Sequence, residues 1–146
     1  MKTLILDAAL GTQLAVNGEE LPDWKKSLWS AHALIYKPEA ILKIHLDNIE
    51  AGADVITTSN YYATPIILAK DSTKHNYKDF VKRALDLVHE AIKISGKKCL
   101  IAGSFPPINV SFRPDSRPQT SLMSFIKLLI KLSRIRVFIY HLYYEI

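Results

Sequence analysis

A single cysteine, Cys99, stands in a chain of 146 residues. It cannot close an internal disulfide, which excludes a disulfide-stapled secreted scaffold, and any zinc site would have to draw its other ligands from histidine or carboxylate. Glycine and proline are also scarce, at 5 and 7 residues, so the chain is neither collagen-like nor a low-complexity linker. Long hydrophobic runs are missing too. After Met1 and Lys2 the apolar stretch Leu4-Ile5-Leu6 is stopped by Asp7, which is too short for a signal-peptide core or a membrane span, and the expected compartment is the cytosol. Basic residues outnumber acidic ones by 19 to 14. They form no run of five and are not interleaved with aromatics, so neither nucleic acid nor a membrane is an expected partner. What is present suffices for a packed core: 49% of residues are hydrophobic against 23% charged, the balance of a globular domain.

The hydrophobic pattern alternates between strand and helix. Leu4-Ile5-Leu6, followed by Asp7, small residues and Gly11, predicts a short buried strand over about residues 3–7 that empties into a tight turn. Pro38 opens a helix in which Leu42, Leu46 and Ile49 recur at helical spacing until Gly52. Val55-Ile56-Thr57-Thr58, β-branched throughout, predicts a second strand. Between Asn76 and Gly96 the set Phe80, Val81, Ala84, Leu85, Val88, Ala91 and Ile92 marks one face of a helix, with Asn76 and Asp79 spaced as a cap and Gly96 as a left-handed stop. Cys99-Leu100-Ile101-Ala102 then predicts a third buried strand ending at Gly103-Ser104, and Val137-Phe138-Ile139 could begin a fourth. Such an order implies parallel strands joined by right-handed crossovers, in either an open doubly wound sheet or a (β/α)8 barrel. Strand starts near residues 4, 55, 98 and 137 would extrapolate to roughly 350 residues for eight units, within the barrel range. No Gly-x-Gly-x-x-Gly follows the first strand, against the dinucleotide alternative. The expected fold class is therefore α/β, the N-terminal three to four units of a truncated barrel.

In parallel α/β folds the ligand lies beyond the carboxyl ends of the strands. Those places are Asp7 to Thr12, Ser59 to Pro65 and Gly103 to Asn109. They offer one carboxylate, hydroxyls, adjacent tyrosines and glycine-exposed amides, which suits a small polar substrate bearing an amino group. Asp7 by itself admits a second reading as a turn or cap residue.

The strings around these places carry a resemblance. Ile5-Leu6-Asp7-Ala8-Ala9-Leu10-Gly11-Thr12 resembles the Asp-Gly-Ala-Met-Gly-Thr opening of the homocysteine S-methyltransferase family. Leu28-Trp29-Ser30-Ala31, then His45-Leu46-Asp47 with Glu50-Ala51-Gly52-Ala53-Asp54, then Val55 to Pro65 and Ala102-Gly103-Ser104 are similar to further family segments in the same order. Pro106-Pro107 and Ser111-Phe112-Arg113-Pro114-Asp115 look like one branch of it. The resemblance covers about residues 3–120. It implies a (β/α)8 barrel that moves a methyl group from S-methylmethionine, betaine or a related donor to the thiol of homocysteine, with zinc activating that thiol. In the intact family three cysteines of the second barrel half hold the metal, and this chain ends before them, so no cofactor is expected in the chain itself. By the same resemblance Asp7 would accept the substrate ammonium, and Gly11 with Thr12 would form the turn around its amino-acid portion. Ala8 stands where the family has Gly, and Ser59 where it has Asn. Tyr61 and Tyr62 would face the methyl donor, where an aromatic ring attracts a sulfonium or quaternary ammonium.

Other candidates read as structural. Cys99 is expected to be a packed thiol, His45 a hydrogen-bonded core histidine in mid-helix, and Trp29 a packing residue at the barrel top. His32, His75, His89 and His141 show no ligand spacing with one another or with Cys99. Residues 121–146 change character, with 17 hydrophobic residues in 26 and the cations Lys127, Lys131, Arg134 and Arg136. Phe125, Leu128, Leu129 and Leu132 could line a short helix there. The organisation expected is a partial homocysteine-binding domain over 1–120 and a divergent apolar, basic tail over 121–146 that is not shaped for this fold, as in a truncated or frame-disrupted product. Such a chain would be catalytically incomplete, prone to self-association or to pairing with a complementing barrel half. The alternative is a non-catalytic amino-acid-binding or assembly module.

Overall fold

The computed structural model describes residues 3–23, 28–70, 74–105 and 137–140. The elements are α1 (Leu10–Val16), a 3-10 turn (Trp29–His32), α2 (Ala33–Tyr36), α3 (Pro38–Glu50), β1 (Val55–Thr57), α4 (Pro65–Lys70), α5 (Tyr77–Ser95), β2 (Leu100–Phe105) and β3 (Val137–Tyr140). Pro106-Pro107, the 111–115 segment and the helical face expected at 125–132 lie outside the described residues.

The two long helices begin and end where local chemistry dictates. Pro38 occupies the first turn of α3, where its missing N–H costs nothing. The helix stops at Glu50, and Lys97 Nζ donates to the terminal carbonyls of Ile49 (3.2 Å) and Glu50 (3.5 Å), a cation at the negative helix end. In α5 the Asn76 side chain accepts from the N–H groups of Lys78 and Asp79, while Asp79 Oδ2 accepts from the Asn76 N–H at 2.9 Å. This is a complete capping box, and Gly96, at φ 64°, closes the other end in the left-handed conformation. The buried stripe of α5 is Phe80, Val81, Ala84, Leu87, Val88 and Ala91. Leu87 is buried and the expected Leu85 only half-buried, because α5 packs on α2 and α3 and Leu87 joins Leu34, Ile41 and Ile44 there.

β1 pairs in parallel with β2, and β2 with β3. Against β1 lies the Ile5–Asp7 segment, joined by one parallel bridge, Leu6 to Val55, and by bonds from Asp7 N to Val55 O (3.0 Å) and Val55 N to Ile5 O (3.1 Å). The four parallel segments thus lie side by side in chain order. In the dinucleotide fold the fourth strand instead returns to the side of the first. The expected first strand is corrected in one respect: Leu4, Ile5 and Leu6 are 51%, 57% and 50% exposed, not buried. Among the described residues nothing pairs or packs on their outer side, so this edge is uncovered. The fourth strand forms as expected, one residue longer at Tyr140.

The core divides in two. Ile49, Ile56, Val88 and Ala91 join α3, β1 and α5 under the sheet. Leu14, Leu28, Leu34, Ile41, Ile44, Phe80 and Leu87 form a second cluster that ties α1 and the 3-10 segment to the same helices. His45 is wholly buried in α3, and among the described residues neither ring nitrogen has a hydrogen-bond partner. The expectation of a hydrogen-bonded histidine is therefore overturned; burial alone drops its pKa to about 4 and keeps the ring neutral. Among the described residues no helix is long and apolar enough to cross a membrane.

Candidate functional site

The carboxyl ends of the strands gather the polar residues. Asp7 follows the first parallel segment, and Thr57 ends β1 beside it. The Thr57 N–H donates to Asp7 Oδ2 at 2.9 Å, and the Thr57 hydroxyl donates to Oδ1 at 2.6 Å. Thr57 thus gives each oxygen one hydrogen bond, and the Asp7 N–H adds to them, which still leaves acceptor capacity on the carboxylate. The carboxylate is half-buried. Burial raises its pKa above the ordinary value, and the Thr57 bonds only partly offset this. No cation stands beside it among the described residues.

Beyond β1 the backbone stays tied to β2. Thr58 N donates to Ala102 O at 2.9 Å, Ser104 N donates to Thr58 Oγ1 at 2.7 Å, and Asn60 Nδ2 donates to Ser104 O at 3.3 Å. Thr58, Ser59, Asn60 and Ser104 are all buried. Gly103 and Ser104 lie inside β2 rather than after it, since the strand runs on to Phe105. Thr64 Oγ1 accepts from Ile67 N at 3.2 Å and caps α4, which fixes the end of the loop that holds the tyrosines.

Three aromatic residues, Trp29, Tyr61 and Tyr62, pack together. Tyr62 meets Trp29 edge to face with ring centroids 5.7 Å apart, and Tyr61 lies 6.1 Å from Tyr62. Both tyrosines are half-buried, and burial together with the neighbouring Tyr61 raises the Tyr62 pKa. Trp29 has φ 45°, a conformation that a bulky side chain rarely adopts. Its indole covers Gly11 so closely that a Cβ there would fall 2.5 Å from Cη2 and 2.9 Å from Cζ3. This corrects the reading of Gly11 and Thr12 as a turn, because both lie in the first turn of α1. Gly11 is required for space under Trp29, not for a positive φ. Thr12 and Ala8 are exposed, and Ala8 has no positive φ, so its methyl introduces no backbone strain.

The structure therefore brings Asp7 together with Thr57, and Gly11 with Trp29 and Tyr62. Thr57 was missed as a site residue because it was read only as a β-former; a hydroxyl at the last position of a strand is the signal that could have found it. Cys99 sits just before β2, at the opposite end of the sheet, where its thiol donates to Ala53 O at 3.5 Å. Burial and Asp54 raise the Cys99 pKa, with Lys97 opposing them. A concavity of about 570 Å3 lined by α3, Ser95 and Lys97 also lies at that far end and shares no residue with the site.

A homocysteine S-methyltransferase family model matches residues 4–131. The chain belongs to the homocysteine S-methyltransferase family. Homocysteine S-methyltransferase 2 of Zea mays is 37% identical over 89 residues, which are 60% of this chain and 25% of that protein. Homocysteine S-methyltransferase 2 of Arabidopsis thaliana is 32% identical over 111 residues, 75% of this chain and 32% of its own length. The metallated form of the homocysteine methyltransferase MmuM from Escherichia coli superposes with a TM-score of 0.71 at 28% identity, covering 90% of this chain and 51% of that one. This homocysteine S-methyltransferase family member thus spans a quarter to a third of those curated relatives and about half of the solved chain. Zinc, which the resemblance implies for the intact family, finds no donor set among the described residues. No three His, Cys, Asp or Glu side chains converge among the described residues, and Cys99 faces away from the site.

Proposed function

We propose that this chain binds homocysteine at the carboxyl edge of its sheet, as the N-terminal portion of a (β/α)8 barrel whose intact form methylates the homocysteine thiol from S-methylmethionine, betaine or a related donor in the cytosol. One observation carries the reading. Asp7 is a half-buried carboxylate aimed by Thr57, with free lone pairs and no cation beside it among the described residues, a position suited to an ammonium group. Ala8, Gly11 and Thr12 would lie along the amino-acid portion. Tyr61 and Tyr62, backed by Trp29, would face the donor, where a ring attracts the positive sulfonium or ammonium that loses its methyl. The side-by-side order of the parallel strands supports the barrel assignment.

Methyl transfer breaks the donor's S–CH3 or N–CH3 bond and forms a new S–CH3 bond on homocysteine, whose thiol proton must leave. A thiol is only a few per cent ionised near neutral pH, by order of magnitude from its pKa. No described residue at the site is placed to take that proton, which favours a reading in which another part of a barrel supplies this step. A second reading, a non-catalytic amino-acid-binding or assembly module, is favoured by the Leu4–Leu6 edge, uncovered among the described residues, which suits a second copy or a complementing barrel half. Calorimetry with homocysteine, paired with a turnover assay using S-methylmethionine and betaine, tests these readings. Binding without turnover is expected. Absence of binding would overturn the proposal, and turnover by the monomeric chain would overturn the reading that another part of a barrel supplies the proton step.

A further inference from the structure

The peptide planes of the Ile5–Asp7 segment fix which way its backbone faces. Ile5 N donates to Asp54 Oδ2 at 3.0 Å, Ile5 O accepts from Asp54 N at 2.8 Å and from Val55 N at 3.1 Å, and Asp7 N donates to Val55 O at 3.0 Å, all on the β1 side. No peptide bond among the described residues is cis, and in a trans plane a carbonyl and the N–H that follows it point in opposite directions. The carbonyl of Leu4, and both the N–H and the carbonyl of Leu6, therefore face away from β1, and no described residue bonds to them. The side chains at this edge are open as well, at 51%, 57% and 50% exposed for Leu4, Ile5 and Leu6. Edges that must stay in water are usually guarded by charge, proline or a bulge. Thr3-Leu4-Ile5-Leu6 holds neither charge nor proline.

This edge complements itself. A closed two-fold contact joins the same surface of both copies, and two identical edges related by such an axis run antiparallel. With the axis at Ile5, the Leu6 N–H of each copy meets the Leu4 carbonyl of the other. That register sets Leu4 opposite Leu6 and Ile5 opposite Ile5, apolar against apolar at every position. An axis at Leu6 would also join backbone groups, but it would set Leu4 opposite Ala8 and Ile5 opposite Asp7, whose carboxylate is held by Thr57. We infer that two copies of this chain pair antiparallel through Leu4, Ile5 and Leu6, with Ile5 on the two-fold axis. The inference rests on the assembly reading above and gives it a partner and a register. Three half-exposed side chains on each copy fall well short of the roughly 1,600 Å2 of a standard interface, so the dimer forms reversibly and dissociates on dilution.

The test uses the full chain carrying Cys99→Ala, so that each further variant holds a single thiol. Opposed Ile5 residues form a non-hydrogen-bonded antiparallel pair with Cα atoms about 4.5 Å apart, within disulfide reach. Leu4 and Leu6 each lie diagonal to their own copies, about 7–8 Å away and outside it. Under mild oxidation Ile5→Cys should shift to a covalent dimer of twice the mass, while Leu4→Cys and Leu6→Cys should each stay monomeric alone and crosslink when mixed. Sedimentation of the unoxidised parent should show a dimer fraction that rises with concentration. Crosslinking of Leu4→Cys or Leu6→Cys alone as fast as Ile5→Cys would overturn the inference. So would association that persists while Ile5→Cys fails to crosslink, which would leave the assembly reading with another contact or another occupant, such as a complementing barrel half. A parent that sediments as a monomer at every concentration would overturn the assembly reading, and this inference with it.

Discussion

Acidification should destabilise this protein through His45, and the size of the effect follows from the ring's surroundings. The side chain is wholly buried in α3, both nitrogens lack partners among the described residues, and burial lowers the pKa from 6.5 to about 4. In the unfolded chain the ring takes up a proton near its ordinary value; in the fold it does not. Between those values the unfolded state binds more protons, so stability is complete above about pH 6.5 and falls as pH drops toward 4. The full difference corresponds to about 3 kcal/mol, of which about 2 kcal/mol is lost by roughly pH 5. Asp7 acts in the opposite sense: its raised pKa makes stability fall with rising pH above its ordinary value, so it softens the lower end of the His45 slope. Replacing the ring with a side chain of similar bulk isolates the histidine. His45→Leu should gain about 1 kcal/mol at neutral pH by removing two unpaired nitrogens, and should flatten the slope between about pH 7 and 5. Urea titrations of both proteins at the two pH values measure this directly. A variant less stable than the parent, with the slope unchanged, would show that His45 is paired and that the reasoning fails.

Three further outcomes can be checked on the same preparation. Gly11→Ala should lose about 1–3 kcal/mol in denaturant titration, because its methyl would enter the Trp29 ring; Trp29→Leu in the same chain should return part of the loss. Asn76→Ala removes the acceptor of the α5 capping box and should cost about 1 kcal/mol, read as a lowered melting temperature without change in the helix's other contacts. Leu6→Lys places a charge on the uncovered edge and should reduce association seen by light scattering, whereas unchanged association would place the contact elsewhere.

Local signals carried most of the helices. The Asn76 and Asp79 spacing, the Pro38 start and the Gly96 stop are interactions within one turn of chain, and each forms where the sequence predicts it. The ordered motifs likewise led to the family, because they follow the strand ends that the repeating βα pattern sets out. What could not be read depends on residues distant in sequence. Gly11 looked like a turn residue, yet its reason is an indole eighteen positions away. Leu85 and Leu87 are equally apolar, and only packing against α2 and α3 selects Leu87. His45 was expected to be bonded because buried imidazoles usually are; nothing in the local string reveals that no donor or acceptor reaches it. The first strand was expected to be buried because its residues are apolar, but burial needs a neighbour, and among the described residues Leu4 to Leu6 have one only on the β1 side.

The account rests most heavily on Asp7 as the receptor of a ligand ammonium, and Asp7→Asn tests it cleanly. Asparagine can keep both contacts with Thr57, its carbonyl accepting from the Thr57 N–H and its amide donating to a reoriented hydroxyl, so the fold should be little changed. Its charge is gone. Calorimetry with homocysteine and with 4-sulfanylbutanoate, the same molecule without its amine, should show homocysteine affinity lowered by roughly 10-fold or more in the variant while the weaker affinity for the amine-free compound does not fall. Homocysteine binding that is equal in parent and variant would contradict the account and leave Asp7 as a residue that only fastens the first parallel segment to β1.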